Sequence, residues 1–325
     1  IQMLLFDNQS SKEGTRFAFR ELQNEIIDIV IGPIFMQNIL EISNDKNFFE
    51  YIFISLTNDI NNLPKNVISF GINLDSQIQA IKKLLKQKDQ KKIFFSEKNE
   101  FSKKVLKKSK EEKINFYKTY FYKSFQDLEK QTKVATAYWW RNKKLLNLIK
   151  KLKNSEKSED IKKLKSLEKL DTLGGVNYQK VFIPEFDNNL ISVMSFFDYY
   201  DVNHENTQFI TLNQWFNQKL LIEPSLQDLI FPSVNLKNFK ELNKKFIKNY
   251  NMKISNIEIL AYDIIPLIAS TWFSKKDSSL IINDFIDKEF KGKSGTFKIN
   301  KKNITERKLN LYQIKKNKFN LLNKN

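Results

Sequence analysis

The residues able to do covalent or metal chemistry are few. The 325-residue chain has no Cys and a single His, His204, which excludes thiolate nucleophiles, disulfides, zinc knuckles and multi-histidine metal sites. His204 lies in DVNHENT, between a helix and a strand, with no nucleophile beside it, and reads as a solvated loop residue rather than a general base. The paired acids Glu111 with Glu112 and Glu159 with Asp160 sit in highly charged stretches. A glycosidase needs two convergent carboxylates, which adjacency does not supply. GKSG at Gly292–Gly295 has the second half of a phosphate loop, but the first Gly of that motif would fall at Asp287 and the segment follows a helix rather than a strand. Neither G-x-G-x-x-G nor G-x-S-x-G occurs. No catalytic constellation is present, and the expectation is a protein that is not an enzyme, with no metal and no cofactor.

Binding chemistry is what remains, and strands and helices must position it. Short apolar runs alternate with amphipathic stretches. Gln2–Phe6, Ile26–Ile31, Tyr51–Ser55, Val67–Phe70, Lys92–Phe95 and Asn115–Tyr122 read as strands. Between them Thr15–Asn24, Phe35–Ile42, the stretch carrying Ile78, Ile81, Leu84 and Leu85, and Glu100–Glu112 read as helices. From Phe125 to Leu173 the rhythm fails. This Lys/Leu/Glu-rich stretch without Pro predicts a hairpin of two helices broken around Asn154–Ser158, with Leu145, Leu146, Ile149 and Leu152 packing on Ile161, Leu164, Leu167 and Leu170. Strands then resume at Val181–Ile183, Phe209–Leu212 and Leu229–Phe231, with helices over Leu190–Tyr200, Leu236–Tyr250, Ile257–Phe273 and Ser279–Phe285. The tail reads as a β-hairpin turning near Lys301–Asn303. The whole predicts an α/β protein of doubly wound, mostly parallel sheets in two lobes, with an inserted helical hairpin. Ligands of such sheets bind beyond the carboxyl ends of strands. That rule selects Gly32 and Pro33, Ser55–Asn58, Phe70 and Gly71, Pro184 and Glu185, and Leu212–Gln214.

The net charge is +18, from 55 basic and 37 acidic residues. A basic surface invites a nucleic-acid reading, yet only Arg16, Arg20, Arg141 and Arg307 carry the planar fork that reads phosphates and guanines bidentately; the rest are Lys. The abundance of Lys, Asn, Ile and Phe beside scarce Ala is what an AT-rich genome produces, and no nucleic-acid partner is expected. The excess is also local. Residues 78–170 carry 28 basic and 11 acidic side chains, against five and ten in residues 1–77. The Lys face of the hairpin would attract anionic lipid head groups, acidic proteins or anionic cell-wall polymers. At its start stand Tyr138, Trp139, Trp140 and Arg141, residue types enriched at interface hot spots and equally able to pack the hairpin onto its lobe. No apolar run is long enough to span a membrane.

The run VFIPEFDNNLISVMSFFDYYDVNHENTQFITLNQWFNQKLLIEPSLQDLIFPSV, with LEKLDTLGGVNYQ before it and LAYDIIPLIAS and FKGKSGTFKI after it, resembles the penicillin-binding-protein activator branch of the leucine-binding, type I periplasmic binding protein family. IIDIVIGPIF and YIFISLTND add weaker matches upstream. The resemblance covers nearly the whole chain and implies a two-lobed fold with three crossings and a ligand cleft. Lobe 1 would take residues 1–71 and 235–290, and lobe 2 residues 72–234 and 291–325, including the hairpin insert 125–173. It implies that Ser55 and Thr57 match a hydroxyl loop that holds a ligand carboxylate, and that Asp263 in Tyr262-Asp263 matches a family pair. With the strand-end rule, the candidate ligand residues are Gly32, Ser55, Thr57, Asn58, Phe70, Glu185, Asn213 and Asp263, and the candidate partner residues are Trp139, Trp140 and Arg141. Ser55, Thr57, Asn58 and Asp59 are also preferred helix N-caps, and Asp263 also fits a surface or capping acid; both readings stand. The family's first strand and helix would lie before Ile1, which predicts a longer, extracytoplasmic precursor, periplasmic and anchored as a lipoprotein. The implied function is regulation of peptidoglycan synthesis by contacts with a membrane-bound synthase. The alternative is an amino-acid receptor of an ABC transporter with a small amino-acid-like ligand. The resemblance also implies that the Lys-rich hairpin is foreign to simple amino-acid receptors, while similar helical inserts occur in the activator-like branch.

Overall fold

A computed structural model describes residues 2–275 and 279–323. It divides into two compact units built from separate stretches, Ile1–Gln77 with Val234–Asn310, and Ile78–Ser233 with Leu311–Lys324.

In the first unit, strands Ile29–Ile31, Ile52–Ser55 and Val67–Ser69 form a parallel three-stranded sheet. Helix Lys12–Leu22 is capped by Ser11, whose hydroxyl accepts from the Gly14 amide at 2.9 Å. It buries Thr15, Ala18, Phe19 and Leu22 at helical spacing. With Met36, Ile39 and Ile42 of helix Met36–Ile42 these side chains close over Phe48, Phe53 and Val67. The Phe48 and Phe53 rings stack at 4.8 Å, and each buried aromatic is worth about 1.5–3 kcal/mol. Helices Leu236–Tyr250 and Glu258–Phe273 follow, then an antiparallel sheet of Glu289–Lys291, Thr296–Ile299 and Thr305–Lys308. The Ser69 amide donates to Asn303 at 2.9 Å, tying the two sheets together.

The second unit holds a seven-stranded sheet. Lys118–Tyr122, Lys92–Glu97, Lys180–Phe182, Gln208–Ile210 and Ile230–Ser233 lie parallel in that order, and the antiparallel pair Asn310–Lys315 and Lys318–Asn323 follows at the far edge. Phe94, Phe95, Phe182 and Phe209 of the strands are fully buried, and Phe197 of helix Asp187–Tyr199 meets Phe95 edge-on at 5.0 Å. The central strands are apolar on both faces because helices cover both, as parallel sheets require.

Four expectations change. Gln2–Phe6 forms no strand: a strand exists through hydrogen bonds to a neighbour, and among the described residues no strand pairs with it. Met3 and Leu5 are exposed and only Phe6 reaches the core. Ser279–Phe285 contracts to a 3-10 turn, Ile282–Phe285, where the Asp284 carboxylate takes the Ile281 amide and the Lys275 ammonium. Residues 72–77 and 291–310 pack with the first unit rather than the second, because Arg307 is inserted beneath Phe70 and Asn73 donates to the Thr305 carbonyl.

Finally, the Lys-rich stretch is three helices, Phe125–Ala135, Tyr138–Lys153 and Ser158–Leu167. The first is the crossover helix after strand Lys118–Tyr122, and only the other two form the hairpin. Between them and it, Ala137 takes a left-handed φ of 52°. The carbonyls released there are capped by side chains: Tyr178, 43 residues on, donates to Ala135, and Arg141, five residues on, to Thr136. Leu145 and Leu167 are buried and Ile149, Leu152 and Leu164 half-buried, but Leu146, Ile161 and Leu170 are exposed. Two helices packed along one seam cover only the positions on that seam.

Candidate functional site

In the first unit the carboxyl ends of the three parallel strands meet in one loop cluster. Gly32 donates to the Ile54 carbonyl at 2.9 Å and precedes a cis peptide to Pro33. The Ser55 hydroxyl donates to the Pro33 carbonyl and accepts from the Thr57 amide at 3.2 Å. Ser55 is fully buried, so both roles of its hydroxyl are filled by the loop. Thr57 accepts from the Asp59 amide at 3.1 Å, the local turn that N-cap residues favour, and keeps its hydroxyl proton for donation. Asn58 is exposed. Gly71 lies directly beneath this loop: a Cβ there would stand 2.5 Å from the Thr57 carbonyl oxygen and 2.6 Å from that of Leu56.

Phe70 is buried and sealed from solvent by Arg307, whose guanidinium stacks 4.5 Å from its ring and donates to its carbonyl at 2.5 Å. The same guanidinium reaches the Ser294 hydroxyl at 2.9 Å. Ser294 in turn donates from its hydroxyl and amide to Asp263, at 2.6 and 2.9 Å, and Lys293 adds its amide at 2.6 Å. Burial lowers the Arg307 pKa and the Asp263 carboxylate opposes that fall; the guanidinium stays charged. GKSG therefore does grip an anion, and the anion is the chain's own Asp263. A Cβ on Gly292 would lie 2.2 Å from that carboxylate, so the turn closes on Asp263 only with Gly in place. Asp263 and Phe70 are thus buried and held by the chain's own donors.

In the second unit Glu185 follows strand Lys180–Phe182 and is buried. Its carboxylate accepts from the Ser96 hydroxyl at 2.7 Å and the Glu97 amide at 2.6 Å. Burial pushes its pKa up and outweighs these hydrogen bonds. Tyr122 faces the same carboxyl; burial, then Glu185 and Glu97, push its phenol pKa up, and its hydroxyl finds no hydrogen bond of good geometry. Beside them is a recess of about 80 Å3 lined by Glu97, Tyr122, Ser124, Phe125, Leu128, Asn189 and Ser192. The Glu185 carbonyl accepts from Gln214 at 2.8 Å, and Asn213 accepts from the Trp215 amide at 2.9 Å. The first contact joins the two strand-end loops, and the second is a turn within one of them.

The hairpin residues separate. Arg141 is 3 % exposed, with its guanidinium donating to the carbonyls of Gly174 at 2.7 Å, Tyr200 at 2.9 Å and Asp201 at 3.2 Å. It pins the hairpin to the sheet unit, in line with the packing alternative for these residues. Trp139 and Trp140 are 65 and 63 % exposed. His204 is exposed in a turn, as its loop composition predicts.

No protein-family profile and no curated protein matches the sequence. Solved structures do. Full-length LpoA from Haemophilus influenzae superposes with a TM-score of 0.61 at 11 % identity, over 95 % of this chain and 51 % of that one. The LpoA C-domain from the same organism, a regulator of PBP1A, gives 0.60 at 10 % identity over 95 and 86 %. The branched-chain amino acid transporter substrate binding protein LivJ from Streptococcus pneumoniae, in complex with isoleucine, gives 0.58 at 15 % identity over 98 and 85 %. The fold is that of a type I periplasmic binding protein. The chain spans about half the length of full-length LpoA. Within this fold, sequence reasoning missed Arg307, Ser294 and Tyr122. Arg307 carries a compositional signal, as one of four Arg in a chain that otherwise uses Lys, and Ser294 lies in the GKSG segment, which fails the phosphate-loop pattern.

Proposed function

We propose that this protein is a non-enzymatic, extracytoplasmic regulator of the penicillin-binding-protein activator type, acting on a membrane-bound peptidoglycan synthase through protein contacts. The observation that carries the reading is the state of the strand-end loops. Ser55 has both hydroxyl roles filled by its own loop and Asp263 is enclosed by the GKSG turn, so two groups that would hold an amino acid serve the scaffold instead. The likeness to the LpoA C-domain supports it. In this reading Gly32, Ser55, Phe70 and Asp263 frame the loop cluster, and Glu185 and Asn213 order the loops of the second unit.

One observation favours an amino-acid receptor of an ABC transporter as the second reading. Thr57 retains a donor next to exposed Asn58, a pair able to take a small carboxylate. A thermal-shift screen against amino acids, short peptides and muropeptides separates the two. Under the regulator reading amino acids leave the melting temperature unchanged while a purified synthase binds. A rise with log concentration of an amino acid, abolished in Thr57→Val, would overturn it in favour of the receptor.

A further inference from the structure

The outer face of helix Tyr138–Lys153 is unusual for a folded surface. Its inner positions, Arg141 and Leu145, are buried, and the opposite side carries Trp139, Trp140, Lys143, Lys144, Leu146 and Lys150, all exposed. Trp139 with Lys143 and Trp140 with Lys144 are i, i+4 pairs, so two adjacent rows each begin with an indole and continue with ammonium groups. Lys144 lies 5.3 Å from the Trp140 ring, and Lys133 lies 5.3 Å from that of Trp139. Across residues 138–170 there are eleven basic and four acidic side chains, and the one Arg among them is buried. Of the four Trp in the chain, these two are exposed side by side.

We propose that this face docks on an anionic lipid bilayer, with Trp139, Trp140 and Leu146 entering the interface and the lysines lying among the head groups. Three features choose this occupant. Indoles are amphipathic and favour the head-group level, while Lys stems extend along apolar surface and leave the charge in water. An exposed helix face with Trp and Leu beside Lys rows has the residue types that interfacial helices present to a bilayer. The charge is carried by Lys point charges rather than Arg forks, which suits a diffuse anionic surface better than a specific carboxylate or phosphate. The inference is independent of the choice between regulator and receptor, since either would work at a membrane.

The test is co-sedimentation of the full chain with phosphatidylcholine vesicles, with and without phosphatidylglycerol, at physiological ionic strength. Binding is expected only with phosphatidylglycerol. Trp139→Ala combined with Trp140→Ala should weaken it about tenfold, and Lys143→Glu, Lys144→Glu and Lys150→Glu together should weaken it by more than about tenfold. Because these side chains are exposed, unchanged circular dichroism is expected for both variants. No binding to the phosphatidylglycerol vesicles overturns the proposal. So does binding that the Trp pair does not affect, which would leave only general charge attraction. Tighter Trp-dependent binding to a soluble acidic protein or to DNA than to vesicles would also overturn it, by assigning the face to that partner.

Discussion

At the scale of single residues, the polar groups near the strand ends divide by what already satisfies them. Asp263, Ser294 and Arg307 form a buried chain of opposite charges joined by a hydroxyl, and each guanidinium nitrogen and each carboxylate oxygen in it has a partner within the protein. Buried charges are tolerated only on such terms. Glu185 is different, because burial works against its ionised form and two hydrogen bonds do not reverse the effect. Its folded pKa is raised, so the cost is absent below the ordinary Glu value of 4.5 and grows as pH rises through the folded value. Glu185→Gln keeps an acceptor for Ser96 and Glu97 and removes the charge. Urea melts should therefore show the variant gaining on the parent between acid and neutral pH; parallel curves would mean that burial is not the dominant influence on this carboxyl.

At the scale of elements, the hairpin shows how far periodicity carries. Its two stripes fall on the two hairpin helices except for Leu170, which lies beyond Ser158–Leu167, and only two of their eight members, Leu145 and Leu167, are buried. Leu145→Ala should cost about 2–5 kcal/mol, whereas Leu146→Ala, one position away and exposed, should stay within about 0.5 kcal/mol; denaturant unfolding of both variants checks the contrast. The break at Ala137 was illegible because no Gly or Pro marks it. Arg141 and Tyr178 stabilise it by taking the Thr136 and Ala135 carbonyls, and Tyr178 lies 43 residues from its acceptor. The same holds at Gln2–Phe6, where an apolar run has strand composition and no described neighbour to pair with. In the terminal region the alternation and the first turn were legible, with Asn303 in left-handed conformation at a φ of 59° between paired strands, but the tail forms two hairpins rather than one, the second turning at Lys316 and Asn317.

At the scale of the whole molecule, a net charge of +18 sets a repulsion that counter-ions relieve. Raising ionic strength from about 0.02 to 0.2 M at neutral pH should raise the melting temperature, by about 2–4 °C for each kcal/mol recovered; a calorimetric scan that falls with salt would show that favourable ion pairs dominate instead. By itself the sequence determined the α/β class, the alternation of strands and helices, the lack of thiol and multi-histidine chemistry and the place of the insert, because periodicity and composition are local and each residue carries its part of the signal. The tertiary structure decided which of the selected residues are available. Ser55, Phe70, Asp263 and Arg141 have the right types at the right strand ends or helix faces, and they are occupied by groups up to 237 positions away in the chain. Availability depends on which distant donors and acceptors fold against a side chain, and a single position in a sequence does not contain that information.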